Sequence, residues 1–217
     1  MKKLTAALCA ALMASIMPGC AAAGNAKQSD ETAQPAPRQS VVFAGDSLTA
    51  RCDLERYYPD YDCTNCGLDG DTVAGVAARL DEICLGSPDA LVLLIGTNNI
   101  IGLSALPEPL CGDIAALLDD IASRLPSTRL LVQSLYPTND SVGLPVSWTA
   151  NDRIAQTNEL LEKLCGERGI VYIDVHPLLC GDEGGLRAEY TLDGVHLSDA
   201  GYAVACDAVN RALNDSL

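Results

Sequence analysis

Short apolar runs and amphipathic stretches alternate along the chain from residue 40 onward. The apolar runs span residues 41–44, 91–95, 130–132 and 170–173, and a weaker strand is expected over 61–65. Because the runs are continuous, they are typical of parallel strands that are covered on both faces. The amphipathic stretches predict helices over residues 72–84, 110–125, 148–168 and 198–213. Strands that alternate with helices predict an α/β sandwich with a mostly parallel sheet.

Polar clusters follow directly after two of the predicted strands. Gly45-Asp46-Ser47 ends the first strand, and residues 96–99, with the sequence Gly-Thr-Asn-Asn, end the strand over 91–95. In parallel sheets, sites form beyond the carboxyl ends of the strands, where loops and helix N-termini converge. Both clusters are therefore candidates for a functional site.

The first residues have the layout of an export signal. Lys2 and Lys3 precede a mostly apolar run over residues 4–17, which is too short to span a bilayer but fits the apolar region of a signal peptide. Cys20 follows a small residue at the end of this run, in a pattern that resembles a bacterial lipobox. We therefore expect residues 1–19 to be a lipoprotein signal and Cys20 to be acylated. Ordinary cleavage after residues 21–23 is the alternative, and both outcomes export the protein.

Residues 20–39 are predicted to form a flexible tether. They contain Gln, Ser, Ala, Pro and mixed charges but hardly any large apolar side chain. The globular domain is expected to occupy residues 40–217. The expected location is the cell surface or periplasm for a lipoprotein, or the medium for a secreted protein, and the membrane is expected as a partner only through the lipid anchor.

The charge of the chain excludes some partners. Acidic residues outnumber basic ones 29 to 14, which gives a net charge of −15, so the surface repels phosphate backbones and anionic lipids. Nucleic acid is therefore not expected as a partner. With 48% hydrophobic and 20% charged residues, the chain has enough apolar material for a core. The only histidines, His176 and His196, are the two candidates for a catalytic imidazole.

Ten cysteines are present, of which eight lie in the predicted domain. An even number in an exported domain predicts disulfides, although eight cysteines allow 105 pairings and the sequence does not choose among them. Some of these thiols serve equally well as small core residues. Cys63 and Cys66 have the spacing of metal ligands, but the sequence has no second pair of cysteines with this spacing, so no zinc site is predicted.

Ser47 and His196 are a candidate nucleophile and base. A serine hydroxyl is a poor nucleophile unless a base lies beside it. His196 has Asp193 three residues before it, close enough to orient the imidazole through the nitrogen that does not face the serine. His176 lacks this Asp-x-x-His arrangement, so we interpret it as a structural or substrate-side residue.

Four short blocks occur together and in order along the chain. They are Gly45-Asp46-Ser47-Leu48, the stretch 65–72 (Asn-Cys-Gly-Leu-Asp-Gly-Asp-Thr), the stretch 96–99, and Asp193-Gly194-Val195-His196. Together they resemble the SGNH branch of the GDSL esterase/lipase family over residues 41–213. The resemblance implies a flavodoxin-like three-layer α/β/α sandwich with a five-stranded sheet, and a hydrolase that needs neither a metal nor a cofactor.

The resemblance also implies a role for each matching residue. Ser47 would be the nucleophile, His196 the base and Asp193 the residue that orients the base. The oxyanion hole would comprise the backbone N–H of Ser47, the backbone N–H of Gly70 and the side-chain amide of Asn98. One departure is that Asn99 stands where the family usually has an aspartate, and we expect activity to survive this change.

The expected function is therefore that of an exported serine esterase. Its substrates would be short-chain acyl esters, acetyl esters above all, carried by carbohydrates. The alternatives are a lysophospholipase or thioesterase of the same family, and a non-catalytic glycan-binding lipoprotein that keeps the fold. The intact set of Ser47, Asp193 and His196 argues against the binding protein, which has no need of all three.

Overall fold

The computed structural model describes residues 37–143 and 150–217. The predicted signal peptide, Cys20, the tether up to residue 36 and the first two residues of the helix predicted over 148–168 lie outside the described residues. All statements below concern the described part of the chain.

Five strands form one sheet in which every neighbouring pair is parallel. Their order across the sheet is β2-β1-β3-β4-β5, the order of flavodoxin-like folds, so the predicted fold class is confirmed. The strand signal is weakest in β2 because this edge strand is only partly buried. The strands are β1 Ser40–Gly45, β2 Asp62–Gly67, β3 Ala90–Leu94, β4 Arg129–Gln133 and β5 Val171–Ile173.

Nine α-helices and one short 3₁₀ helix, Ala188–Tyr190, connect and flank the described strands. Pro107 starts the sixth helix before the predicted position, since the fixed φ of proline suits the first turn of a helix. The helices are α1 Ser47–Ala50, α2 Leu54–Tyr57, α3 Val73–Ala78, α4 Leu80–Ile83, α5 Thr97–Ile101, α6 Pro107–Arg124, α7 Ala150–Arg168, α8 His176–Leu179 and α9 Asp199–Ser216.

The prediction of one continuous helix over residues 72–84 was wrong. The segment forms α3 and α4, with a break at Arg79, where φ is −111° and ψ is 12°. The Arg79 guanidinium donates hydrogen bonds to the carboxylate of Asp71 and to the carbonyl of Cys66. These contacts hold Arg79 against the preceding loop and interrupt the helix there. The pattern of apolar residues carries no sign of such a polar interaction.

The core lies between the sheet and its helices. All five residues of β3 are buried, and α6 buries Leu110, Ile114, Leu118 and Ile121, which share one face of the helix. Burial of each such side chain contributes about 1.5–3 kcal/mol to the free energy of unfolding. The sheet therefore holds the loops at its carboxyl edge in defined positions. None of the helices in the described ranges combines the length and the apolar character needed to cross a membrane.

The eight cysteines of the domain are free thiols in this structure. Cys165 and Cys206 are buried, and the other six are partly buried. The sulfur atoms of Cys52 and Cys206 lie 3.5 Å apart, whereas a disulfide bond is about 2.05 Å long. No disulfide is therefore formed among the described residues, and the pairing expected from the sequence stays a prediction.

Candidate active site

The site begins where β1 and β3 end side by side. Gly45 of β1 pairs with Leu94 of β3, so the loops that follow the two strands leave the sheet next to each other. These loops carry Ser47 and Asn98. Gly45 itself has no room for a side chain, since a Cβ atom there would lie 2.2 Å from the carbonyl oxygen of Leu94. The glycine of the first block thus permits the close approach of the strands.

Ser47 is the first residue of α1 and is 6% exposed. Asp46 caps this helix, because its Oδ1 accepts the backbone N–H of Leu48 at 3.0 Å. Ser47 Oγ lies 3.0 Å from Nε2 of His196, within hydrogen-bond distance. The nucleophile candidate and the base candidate, which are 149 positions apart in sequence, are therefore in direct contact.

Asp193 holds the other nitrogen of the imidazole. Its Oδ2 lies 2.7 Å from His196 Nδ1, and its Oδ1 accepts the backbone N–H groups of Val195 and His196 at 3.1 and 2.8 Å. Burial alone would raise the pKa of Asp193, but these hydrogen bonds and the imidazole hold it below its ordinary value. The carboxylate is thus kept ionised beside the ring.

Gly194 allows the turn between Asp193 and His196. Its φ is +92°, a conformation that other residues rarely adopt, and a Cβ atom would lie 2.2 Å from the carbonyl oxygen of Asn139. The backbone N–H of Asn139 also donates to the carbonyl of Gly194 at 2.8 Å. The second position of the fourth block is therefore set by both backbone conformation and space.

Ser47, His196 and Asp193 form one continuous chain of hydrogen bonds. In such a chain the imidazole takes the serine proton as the hydroxyl attacks, and the carboxylate stabilises the imidazolium that forms. Each of these three residues was singled out from the sequence, and the structure brings all three together. The arrangement is suited to nucleophilic attack on a carbonyl carbon.

The three predicted oxyanion donors lie at the start of α1 (Ser47), in the loop after β2 (Gly70) and in α5 (Asn98). The backbone N–H groups of Ser47 and Gly70 donate to no acceptor among the residues that the structure describes. Gly70 has a φ of +76°, and the ion pair between Arg51 and Asp69, at 2.8 Å, ties the Gly70 loop to the end of α1. Both N–H groups are therefore free to bind a developing oxyanion.

Asn98 is fixed by its neighbours. Its Nδ2 donates to the backbone carbonyl of Asp71 at 2.9 Å and lies 3.4 Å from Oδ2 of Asp46. The first contact occupies one of the two amide protons. The second contact is long, so the second proton is the one that a bound substrate oxygen could accept.

Sequence reasoning did not assign roles to two acidic residues of the site. Burial raises the pKa of Asp46 to about 6, although the hydrogen bond from Leu48 and the nearby His196 lower it. Asp71, also buried, forms an ion pair of 2.7 Å with Arg79 while its carbonyl holds Asn98. Both residues lie within the blocks, but only the three-dimensional contacts reveal what they do.

Asn99 acts as a hydrogen-bond acceptor in place of the family's aspartate. Its Oδ1 accepts the backbone N–H of Val73, the first residue of α3, at 3.1 Å. An amide oxygen satisfies this donor without placing a charge at a position that is 8% exposed. This hydrogen bond joins α5 to the first residue of α3.

His176 has different neighbours. Its backbone N–H donates to Ser134 Oγ at 2.8 Å, and its Nδ1 lies 3.5 Å from the sulfur of Cys180. Burial lowers the pKa of the imidazole, which favours the neutral form. These contacts agree with the structural role that the sequence suggested, and they do not connect His176 to Ser47.

A cavity of about 250 Å³ adjoins His196. A larger cavity, of about 690 Å³, has a polar and largely acidic lining that includes none of Ser47, Asp193 and His196. Of the two, only the smaller cavity reaches one of these three residues, His196, and it is therefore the candidate for the alcohol side of the site. Its lining residues are Arg51, Asp53, Arg56, Tyr57, Leu192, His196, Leu197, Asp199 and Tyr202.

Comparisons with known proteins agree with this geometry. Residues 43–204 match the model of the GDSL-like lipase/acylhydrolase family. The chain is similar to the human platelet-activating factor acetylhydrolase IB subunit alpha1, with 29% identity over 180 residues that cover 80% of this chain and 74% of the relative. Its similarity to the alpha2 subunit from Rattus norvegicus is 25% over 182 residues, covering 80% and 75%.

Solved structures with the same fold come from several bacteria. A protein from Streptococcus pneumonia superposes with a TM-score of 0.74 at 26% identity, covering 82% of this chain and 86% of that one. A GDSL-like lipase from Bacteroides thetaiotaomicron superposes with a TM-score of 0.69 at 23% identity, covering 82% and 89%. The second similarity is one of fold.

Proposed function

The chain belongs to the GDSL-like lipase/acylhydrolase family and is a carboxylic ester hydrolase, and on that premise we propose that it is an exported serine esterase that removes short acyl groups from carbohydrate esters. The observation that carries the proposal is the hydrogen-bonded chain from Ser47 through His196 to Asp193. Acetyl is the acyl group that we expect foremost.

The first half of the reaction forms an acyl-enzyme. Ser47 Oγ attacks the ester carbonyl carbon while His196 Nε2 takes its proton, and Asp193 stabilises the resulting imidazolium. The carbonyl oxygen becomes an oxyanion that accepts hydrogen bonds from the N–H groups of Ser47 and Gly70. It also accepts one from the Asn98 amide, whose long contact with Asp46 it replaces. His196 then gives the proton to the leaving alcohol, and the ester bond breaks.

The second half releases the acid. A water molecule gives a proton to His196 Nε2 as its oxygen attacks the acyl carbon, and the same three donors bind the second oxyanion. When this intermediate collapses, His196 returns the proton to Ser47 Oγ. The carboxylic acid leaves, and the hydrogen bond of 3.0 Å between serine and imidazole is restored.

The preference for a short acyl group is supported by the relatives. Those with 25–29% identity over 80% of the chain carry the name acetylhydrolase. The preference for a carbohydrate alcohol is supported by the cavity beside His196, the residue that must protonate the leaving alcohol. The lining of this cavity includes two tyrosines, Tyr57 and Tyr202. It also includes the charged residues Arg51 and Asp53, and such a mixture of aromatic and polar groups suits a sugar.

The acetyl ester of platelet-activating factor is a second candidate substrate. The names of the relatives favour it directly. The net charge of −15 opposes approach to an anionic lipid surface, and this is why we place the carbohydrate ester first.

Hydrolysis of p-nitrophenyl esters from acetate to palmitate tests the acyl preference. We expect the highest kcat/KM for acetate or butyrate and a steep fall with longer chains. Acetylated xylan and platelet-activating factor, compared at equal acetyl concentration, then separate the two alcohols by release of acetate. Efficient cleavage of palmitate would contradict the short-acyl proposal, and faster release from platelet-activating factor would favour the second candidate.

Ser47→Ala tests the nucleophile, and Ser123→Ala, on the exposed face of α6, is its matched control. Removal of the nucleophile costs about 10⁶ in kcat in a comparable triad, so the first variant should be nearly inactive while the second keeps full activity. A fluorophosphonate probe should label the wild type and not Ser47→Ala. A wild type that is neither labelled nor active would favour the alternative of a non-catalytic glycan-binding lipoprotein.

Export through a lipid anchor has its own test. In cells, Cys20→Ser should release the protein from the membrane fraction, whereas Cys9→Ser, within the predicted signal, should leave it there. The mass of the mature N-terminus should show an acylated Cys20. Cleavage after residues 21–23 would contradict the anchor and leave export intact.

A further inference from the structure

Two cysteine sulfurs from distant parts of the chain are in contact. Cys52 Sγ and Cys206 Sγ lie 3.5 Å apart, although 154 positions separate the residues in sequence. Cys52 follows the end of α1 and is partly exposed, whereas Cys206 lies within α9 and is 3% exposed. The mechanism proposed above uses neither thiol.

The two residues lie on the elements that carry the reacting groups. Ser47 begins α1, and α9 begins at Asp199, three residues after His196. Tyr202, one turn before Cys206, donates its hydroxyl to the carbonyl of Leu48 at 3.0 Å. The thiol pair therefore lies in the contact between the nucleophile's helix and the helix that follows the base.

The surroundings suit a bond between the two sulfurs. The two thiols are within hydrogen-bond distance, and either sulfur can be the donor. The contact with Cys52 lowers the pKa of Cys206; burial opposes this shift, and a hydrogen bond with Tyr58 adds to it. The same contact and burial raise the pKa of Cys52. A void of about 20 Å³ is lined by both cysteines and by Tyr58, so the sulfurs have space to turn.

We propose that Cys52 and Cys206 form a disulfide when the protein meets an oxidised thiol–disulfide donor, and that this bond fastens the nucleophile's helix to α9. For this bond to form, the two side chains must rotate so that the separation of 3.5 Å shortens to about 2.05 Å. The proposal does not depend on the substrate of the esterase.

The bond forms by two thiol–disulfide exchanges. Cys52 is the more exposed of the two thiols and makes the first attack. Because its pKa is raised, only a small fraction is ionised, so this step is slow and speeds up as pH rises. The Cys52 thiolate attacks the donor disulfide, forms a mixed disulfide and releases one donor thiol. Cys206, as a thiolate, then attacks the sulfur of Cys52 and expels the second donor thiol. Two protein thiols are oxidised and one donor disulfide is reduced, with the two thiol protons ending on the released donor thiols.

The bond would restrict the unfolded chain strongly. The two cysteines are 154 positions apart, and a bond that closes so long a loop constrains the unfolded ensemble more than one that closes a short loop. The effect predicts a rise in Tm of about 10 °C for a domain of this size. Because the bond joins α1 to α9, it also opposes separation of Ser47 from His196.

Peptide mapping of the full chain tests the pairing. The protein is incubated with glutathione disulfide or with reduced glutathione, its free thiols are blocked with N-ethylmaleimide, and it is digested without reduction. After oxidation we expect a linked peptide pair containing Cys52 and Cys206, two hydrogen masses below the sum of the separate peptides. Other pairings for these cysteines, or glutathione retained on Cys52, would overturn the proposal.

Thermal unfolding tests the consequence. Oxidation should raise the Tm of the wild type and of Cys84→Ser, whose substituted thiol directly follows α4. It should leave the Tm of Cys52→Ala and Cys206→Ser unchanged. A linked peptide without a rise in Tm would overturn the stabilising role. If Cys206→Ser does not fold, Cys52→Ala and the wild-type map still decide the question.

Discussion

The Asp193 carboxylate binds His196 at two points, the ring and the backbone. Oδ2 lies 2.7 Å from Nδ1 of the imidazole, and Oδ1 accepts the backbone N–H of the same residue at 2.8 Å. One side chain therefore sets both the course of the loop and the orientation of the ring. The tautomer that leaves Nε2 free to accept the proton of Ser47 is the one that this contact favours.

Asp193→Asn should abolish most of the activity while the fold persists. An amide can still accept from the backbone N–H, but it can hold the ring in the wrong tautomer and does not stabilise the imidazolium; the corresponding change in a serine protease lowers kcat by about 10⁴. We expect a loss of similar order in kcat for p-nitrophenyl acetate, with a circular dichroism spectrum like that of the wild type. Asp113→Asn, on the exposed side of α6, is the control, and equal activity of the two variants would refute the role of Asp193.

Asn98→Ala should lower kcat by about 10²–10³ and change KM little, because it removes a donor that acts on the oxyanion rather than on the bound ester. The side chain also donates to the carbonyl of Asp71 at 2.9 Å, so some loss of Tm is expected too. Asn210→Ala separates the two effects, since Asn210 makes a comparable contact of 2.7 Å with the Tyr57 carbonyl, between α9 and α2. If both variants lose Tm but neither loses kcat, Asn98 is only a structural residue.

Asp46→Asn should stabilise the protein at neutral pH and not at pH 4. The pKa of Asp46 is raised to about 6 in the folded state, chiefly by burial, with His196, Asp71 and Asp69 as charged neighbours. A raised carboxyl pKa stabilises the fold fully below the unfolded value of 3.8, and this stabilisation is lost as pH rises through about 6. Asparagine keeps the helix cap without the buried charge.

The Tm difference between Asp46→Asn and the wild type should therefore grow between pH 4 and pH 7. A shift of this size corresponds to roughly 3 kcal/mol, or several degrees in Tm. Calorimetry across this range measures the difference directly. A pH-independent difference would show that the Asp46 carboxyl titrates as an exposed acid does.

Asn99→Asp should keep kcat within a few-fold of the wild type, because a carboxylate oxygen can accept the Val73 N–H as the amide oxygen does. Asn99→Leu leaves that buried donor without its acceptor, which typically costs about 1–3 kcal/mol and should lower Tm. Kinetics and thermal unfolding of the pair check this. Equal Tm values for the leucine variant and the wild type would show that the contact with Val73 does not matter for stability.

The apolar runs predicted the strands of the central sheet because a buried parallel strand requires continuous apolar residues on both faces. The blocks around Ser47 and His196 predicted the candidate nucleophile and the candidate base, and the structure brings these two side chains to 3.0 Å of each other. The break at Arg79 escaped prediction, because it follows an ion pair with Asp71 that has no signature in periodicity. The raised pKa of Asp46 likewise depends on burial by residues distant in sequence.

The cysteines show the same limit more sharply. Their even number suggested disulfides, but the contact of Cys52 with Cys206 arises only when α9 packs near the end of α1. The number of cysteines alone does not show which two of the eight lie in contact.

Ser47 and His196 lie 149 positions apart, so the candidate active site forms only after most of the domain has been synthesised. A chain that stops just before residue 196 contains all five strands of the sheet but lacks the imidazole of His196. During refolding, loop-closure entropy delays a contact of such long range relative to the neighbouring strand pairs. Ester hydrolysis thus requires the folded domain, and a partly synthesised or partly folded chain is expected to be inactive.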